Sequence, residues 1–144
     1  MVIYESLTGH THSVADRAAA EFERNGIETM VCPATFVDLQ WLSESELVLV
    51  GSWVDGFFVV GQRPGRVSRL YNLPAMANKR CAVFCTFALN PGKVIEKLTA
   101  IMEAHGAEVI GGMAIRRDDL EGGAIDMANR VIDAIGLATP TPSP

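Results

Sequence analysis

Short apolar runs take turns with longer amphipathic segments along this chain. Val2–Tyr4, Ile27–Cys32, Leu47–Val50, Cys81–Phe87 and Ala107–Ile115 read as five strands. Between them, Val14, Ala18 and Phe22 recur at helical spacing, and Asn25-Gly26 closes that segment. Val94, Ile95, Leu98, Ile101 and Met102 form a second stripe, opened by Asn90-Pro91 and closed near Gly106. Ile125, Ala128, Ile132 and Ile135 mark a last helix, ended by Gly136. Shorter helices are expected around Val37–Leu42 and Arg66–Leu73. Leu47–Val50 shows no polar alternation, the mark of a strand buried on both faces. A strand that returns through a helix to a parallel neighbour crosses over with one hand, so the pattern predicts a parallel sheet covered by helices on both faces. Five such strands in 144 residues predict a three-layer, doubly wound α/β sheet of order 2-1-3-4-5. One domain is expected over residues 1–137, followed by a proline-rich tail, 138–144, expected to be disordered.

Ligands of such sheets gather beyond the carboxyl ends of the strands, where the strand order reverses. That point falls between the first and third strands. The loops meeting there are Ser6–Thr11 (SLTGHT) and the stretch from Gly51 (GSWVDGFFVVGQRPG). The first crowds three hydroxyls and a glycine directly ahead of a helix. A helix N-terminus leaves backbone N–H groups unpaired and carries partial positive charge, so a phosphate is a natural occupant. Ser6, Thr8 and Thr11 add hydroxyl donors, and Gly9 permits close approach. Simple helix capping by the same residues is an equal alternative on local chemistry alone.

Other chemistries fit less well. There is no G-x-x-x-x-G-K-[ST] and no G-x-G-x-x-G after the first strand, which argues against a nucleotide hydrolase or a dinucleotide site. A serine-hydrolase G-x-S-x-G elbow is missing too. His10 and His12 flank Thr11 without an evident third ligand, so no metal site is expected. A phosphoacceptor domain of this topology needs an aspartate after the third strand, where Ser52 and Trp53 stand. The net charge of −5 argues against nucleic acid as partner. Cys32, Cys81 and Cys85 form no redox or zinc spacing and read as small buried hydrophobes. No apolar run approaches about 18 residues, and no membrane contact is expected. These features predict a cytoplasmic location.

Ser6-Leu7-Thr8-Gly9-His10-Thr11 resembles the phosphate loop of flavodoxins, [ST]-x-[ST]-G-x-[ST]. Gly51-Ser52-Trp53-Val54-Asp55 is similar to the flavodoxin loop after the third strand, where a tryptophan covers the inner face of the FMN ring. The resemblance spans about residues 1–136, and the uninterrupted fifth strand is similar to that of short-chain flavodoxins. It implies a flavodoxin-like fold and an FMN cofactor. It also implies that Ser6, Leu7, Thr8, Gly9, His10 and Thr11 hold the phosphate, His10 through its backbone N–H. Ser52, Trp53, Val54, Asp55 and Gly56 would flank the ring on one side, with Trp53 stacked on it. Thr86, Phe87 and Ala88 would approach from the loop after the fourth strand. There a tyrosine commonly covers the outer face, and this chain offers only Phe87 or an open face.

The expected function is electron transport between a flavin- or ferredoxin-type reductase and a downstream acceptor, by a flavoprotein with no side-chain catalyst. Two alternatives come from other classes. One is an FMN-dependent NAD(P)H:quinone-type oxidoreductase, suggested by the apolar stretch Phe57-Phe58-Val59-Val60 and the short outer loop. The other is a flavin-free interaction domain on the same fold. Phe57–Val60 has several available roles, as flavin cover, substrate contact, homodimer contact or core. Arg63, Arg66 and Arg69 follow at helix-like spacing, as a solvated face or as partners for an acidic or phosphorylated group.

Overall fold

The computed structural model describes residues 1–55 and 62–136. Its strands are β1 (Val2–Tyr4), β2 (Val31–Pro33), β3 (Leu47–Asp55), β4 (Arg63–Pro64), β5 (Arg80–Phe87) and β6 (Glu108–Arg116). Its helices are α1 (His10–Arg24), α2 (Leu39–Glu44), α3 (Val67–Tyr71), α4 (Val94–Ala104) and α5 (Leu120–Ile135), the last preceded by a 3-10 turn at Arg117–Asp119. The main sheet runs β2-β1-β3-β5-β6, with every neighbouring pair parallel. Those five strands carry the expected 2-1-3-4-5 order. β4 is an addition, paired antiparallel to the end of β3.

Alternation along the buried strands builds two cores. Ile3, Val48, Val50, Val83 and Cys85 face one layer and meet Leu70 of α3 and Leu98, Ile101 and Met102 of α4. Val2, Leu49, Ala82 and Phe84 face the other and meet Val14, Ala18 and Phe22 of α1 and Met127, Ala128 and Val131 of α5. The period of two in the strands and of 3.6 in the helices assigns these residues to their faces.

The structure departs from the sequence expectation in two places. β2 is only Val31–Pro33, not Ile27–Cys32, because β1 offers a three-residue ladder that pairs Val2, Ile3 and Tyr4 with Val31, Cys32 and Pro33. β3, expected to end at Val50, continues through Gly51, Ser52, Trp53, Val54 and Asp55. Trp53 and Val54 are good strand formers, and Arg63-Pro64 returns to give Val54 and Asp55 a partner. Pro64 is tolerated there because β4 is an edge strand. The supposed loop after the third strand is thus partly the paired strands β3 and β4; residues 56–61, among them Gly56 and Phe57–Val60, lie outside the described residues. The tail 138–144 also lies outside them. Among the described residues no helix is long and apolar enough to cross a membrane.

Gly51 sits against the ring of Phe84 so closely that a Cβ would collide with it. Gly51→Ala is expected to cost about 1–3 kcal/mol by overpacking, read as a lower urea midpoint at unchanged slope. The three cysteines are buried. Burial pushes the Cys81 and Cys85 thiols up to about 12 and raises that of Cys32. At pH 8 roughly one part in ten thousand of a thiol with such a pKa is ionised. Native protein is therefore expected to leave Cys81 and Cys85 unlabelled by a thiol reagent that modifies all three in denaturant; rapid native labelling of either would contradict this packing.

Candidate flavin site

β1 ends at Tyr4, and the backbone N–H of Glu5 still donates to the carbonyl of Gly51 on β3 (2.9 Å). The chain then leaves the sheet as Ser6–Gly9. Leu7, Thr8 and Gly9 are exposed, Leu7 at 61%. Gly9 is the N-cap of α1 at φ 93°, left-handed backbone that a residue with a Cβ adopts only at a cost. Among the described residues no side chain caps this helix. The loop hydroxyls do not bond the N–H groups of the first helical turn. Ser6 Oγ accepts from the Gly9 N–H (3.0 Å), and Thr8 Oγ1 shares a hydrogen bond with His10 Nδ1 (2.9 Å). The N–H groups of the first turn, at His10, Thr11 and His12, are left without the capping that sequence chemistry offered as an equal alternative.

Two contacts fix where that turn points. Thr11, buried, shares a hydrogen bond with Thr86 of β5 across the sheet face (2.9 Å). The His12 ring stacks on Tyr4 of β1, with centroids 4.2 Å apart and planes 8° from parallel. Arg17, the nearest basic residue along α1, is spent on Glu121 of α5 (3.5 Å) and on Ser13 (3.2 Å). The loop therefore offers neutral donors and a helix end. That set fits a phosphate dianion bound without a lysine.

Beside this loop, Trp53 of β3 pairs with Thr86 of β5. Phosphate-loop candidate, Thr86 and Trp53 thus share one corner of the sheet. The indole lies against Gly65, where a Cβ would strike the ring, and the Arg66 guanidinium carbon is 5.6 Å from its centroid. Val54 and Asp55 are held in the β4 ladder, and Asp55 pairs with Arg63 (3.4 Å). Ser52 points the other way. It is fully buried, and its hydroxyl donates to the Gly65 carbonyl (2.8 Å), tying the β3–β4 pair down. Thr86 is likewise buried, while Phe87 is half-buried and Ala88 exposed. Leu89, 78% exposed, ends this second wall.

One participant escaped the sequence reading. Glu5 is buried, its side chain 4% exposed, on the same face as Ile3. A buried carboxylate needs partners. Its Oε1 accepts from Arg66 Nη1 (3.0 Å) and Arg69 Nη1 (2.8 Å). The clue lay in strand alternation, which puts Glu5 on a core face, and in the i,i+3 arginines that can reach it. Arg66 adopts φ 47°, ψ 50°, a left-handed conformation costing about 1–2 kcal/mol for a residue with a Cβ.

A cavity of about 610 Å³ opens at the opposite, amino-terminal ends of β1 and β3, lined by Phe22, Trp41, Leu47 and Ile135 among others. None of its described lining residues belongs to the candidate site.

The sequence pattern of the flavodoxin family matches residues 2–134. No curated protein sequence matches the chain. Among solved structures, the two-electron reduced flavodoxin of Megasphaera elsdenii superposes with a TM-score of 0.69 at 18% identity, covering 89% of this chain and 97% of that one. Oxidised flavodoxin 1 of Bacillus cereus gives 0.67 at 18% identity, with 92% and 95% covered. Rubredoxin oxygen:oxidoreductase of Desulfovibrio gigas gives 0.65 at 15% identity, covering 93% of this chain but 36% of that one. These likenesses are likenesses of fold. Taken with the match over 2–134, they show that the chain belongs to the flavodoxin family, whose members are flavin-binding electron-transfer proteins.

Proposed function

We propose that this protein binds FMN at the corner shared by β1, β3 and β5 and carries electrons from a flavin- or ferredoxin-type reductase to a downstream acceptor. The observation that carries the reading is the uncapped first turn of α1, opened by positive-φ Gly9 and anchored by the Thr11–Thr86 bond. Ser6, Thr8 and the backbone of Gly9, His10 and Thr11 would hold the phosphate. Trp53 would flank the ring from β3, and Phe87 and Ala88 from the end of β5. Bound FMN would supply the redox chemistry. The chain's part is to bind the flavin, orient it and set its electrostatic surroundings.

The side chains at this corner suit a carrier. Among the described residues, the polar side chains there include hydroxyls, an indole, two arginines tied to Glu5 and the Arg63–Asp55 pair. The nearby histidines are engaged with Thr8, Tyr4 and Asp16.

Titration of the purified protein with FMN is expected to saturate at one flavin per chain, with quenching of tryptophan fluorescence that a Trp53→Phe variant largely loses. Trp41, at the far end of the sheet, serves as the internal control. Thr8→Ala removes one hydroxyl donor from a charged phosphate and is expected to weaken FMN by about tenfold or more. Failure to take up FMN would sink the proposal.

A further inference from the structure

We infer that Arg66 is an electrostatic positioning residue: the Glu5–Arg66–Arg69 cluster fixes one uncompensated positive charge over Trp53 and thereby favours the reduced form of the bound flavin. The inference rests on the FMN reading above and goes beyond it, by assigning to this cluster the setting of the flavin's potential.

The charge count comes first. One carboxylate oxygen, Glu5 Oε1, accepts from two guanidinium groups. Two positive charges against one negative leave a net charge of +1. Glu5 is buried, whereas the Arg66 and Arg69 side chains are 39% and 43% exposed. The negative end of the cluster is therefore inside and its positive end faces outward.

Position comes second. Arg66 is held from three sides: by Glu5, by the Trp53 ring, and by a left-handed backbone that follows Gly65 packed on the same ring. A solvated arginine needs none of this. Gly65 in turn donates its N–H to the Trp53 carbonyl (2.9 Å) and accepts from Ser52 (2.8 Å), which ties the residue next to Arg66 to the strand that carries the indole. Trp53 neighbours Thr86, which is bonded to Thr11 of the phosphate loop. The fixed charge therefore sits in the corner where the flavin is proposed to bind, in a chain whose net charge is −5.

The consequence is a matter of charge balance. Two electrons from dithionite, which is itself oxidised to sulfite, and one proton from water leave the flavin one negative unit richer at neutral pH. A cation fixed nearby stabilises that product more than the oxidised ring. By linkage, the gain in affinity for reduced over oxidised FMN is the shift in midpoint potential.

An ion pair that merely pins α3 to β1 would change stability and leave the potential alone. The test measures the midpoint potential of FMN-loaded protein against a reference dye for wild type, Arg66→Gln, Arg66→Lys and Glu5→Gln, alongside thermal melts. Arg66→Gln is expected to lower the preference for reduced FMN about tenfold, or about 30 mV for a two-electron couple. Arg66→Lys keeps the charge and is expected to restore most of it. Glu5→Gln removes the compensating anion and is expected to shift the potential the opposite way. Should Glu5→Gln fail to fold, the Arg66→Gln and Arg66→Lys pair decides. Potentials unmoved by Arg66→Gln, or lowered equally by Arg66→Lys, would overturn the inference while leaving FMN binding intact. A wild-type protein that takes up no FMN would overturn both readings together.

Discussion

β1 is three residues long, yet it is paired on both sides, with β2 through Val2–Tyr4 and with β3 through the same residues. The carboxyl-terminal corner hangs from that short strand. Because Ile3 and Val2 are sealed into opposite cores, the strand cannot slip by one residue without turning both faces out. Its register fixes where Tyr4 meets His12, where Glu5 enters the core, and where the chain turns into α1. The β3 end is fixed by the same ladder, since Tyr4 pairs with Gly51 and the close fit of Gly51 to Phe84 aligns β5. The loop, the indole and the arginines occupy one corner because three parallel strands end together there.

Within that corner, polar groups are arranged by purpose rather than by exposure. Thr11 and Thr86 spend their hydroxyls on each other across the sheet, as does Ser52 on Gly65. These bonds are buried and hold the frame. Ser6 and Thr8 stay near the surface, and the first turn of α1 keeps its uncapped N–H groups. A helix end held firmly and left without a side-chain cap can accept an anion from outside. Glu5 shows the opposite solution, a buried anion satisfied from outside the core by two arginines.

Much of this was legible in the sequence. The alternation of apolar runs with helical stripes implied the parallel order, because such crossovers have one practical solution. The hydroxyl loop was legible because its spacing sits directly between a strand and a helix. The β3–β4 pairing was not, since Gly51–Pro64 is rich in glycine and its second strand is only Arg63-Pro64, too short to carry a period. β2 was overestimated for a related reason. Ile27–Met30 has strand-like composition, but a ladder is only as long as its partner. For Arg66 and Arg69 a solvated face and an acidic partner both stayed open, because Glu5 is more than sixty residues away and single-chain periodicity cannot reveal a pair that only the fold brings together.

The opening turn of α1 is proposed to receive the phosphate of FMN. Backbone amide NMR on the uniformly 15N-labelled protein tests it directly, by adding FMN in one titration and riboflavin, which lacks the phosphate, in another. FMN is expected to shift the amides of Thr8 to His12 strongly, while riboflavin binds more weakly and leaves them nearly in place. Equal shifts of those amides by both ligands, or shifts confined to other parts of the chain, would contradict it.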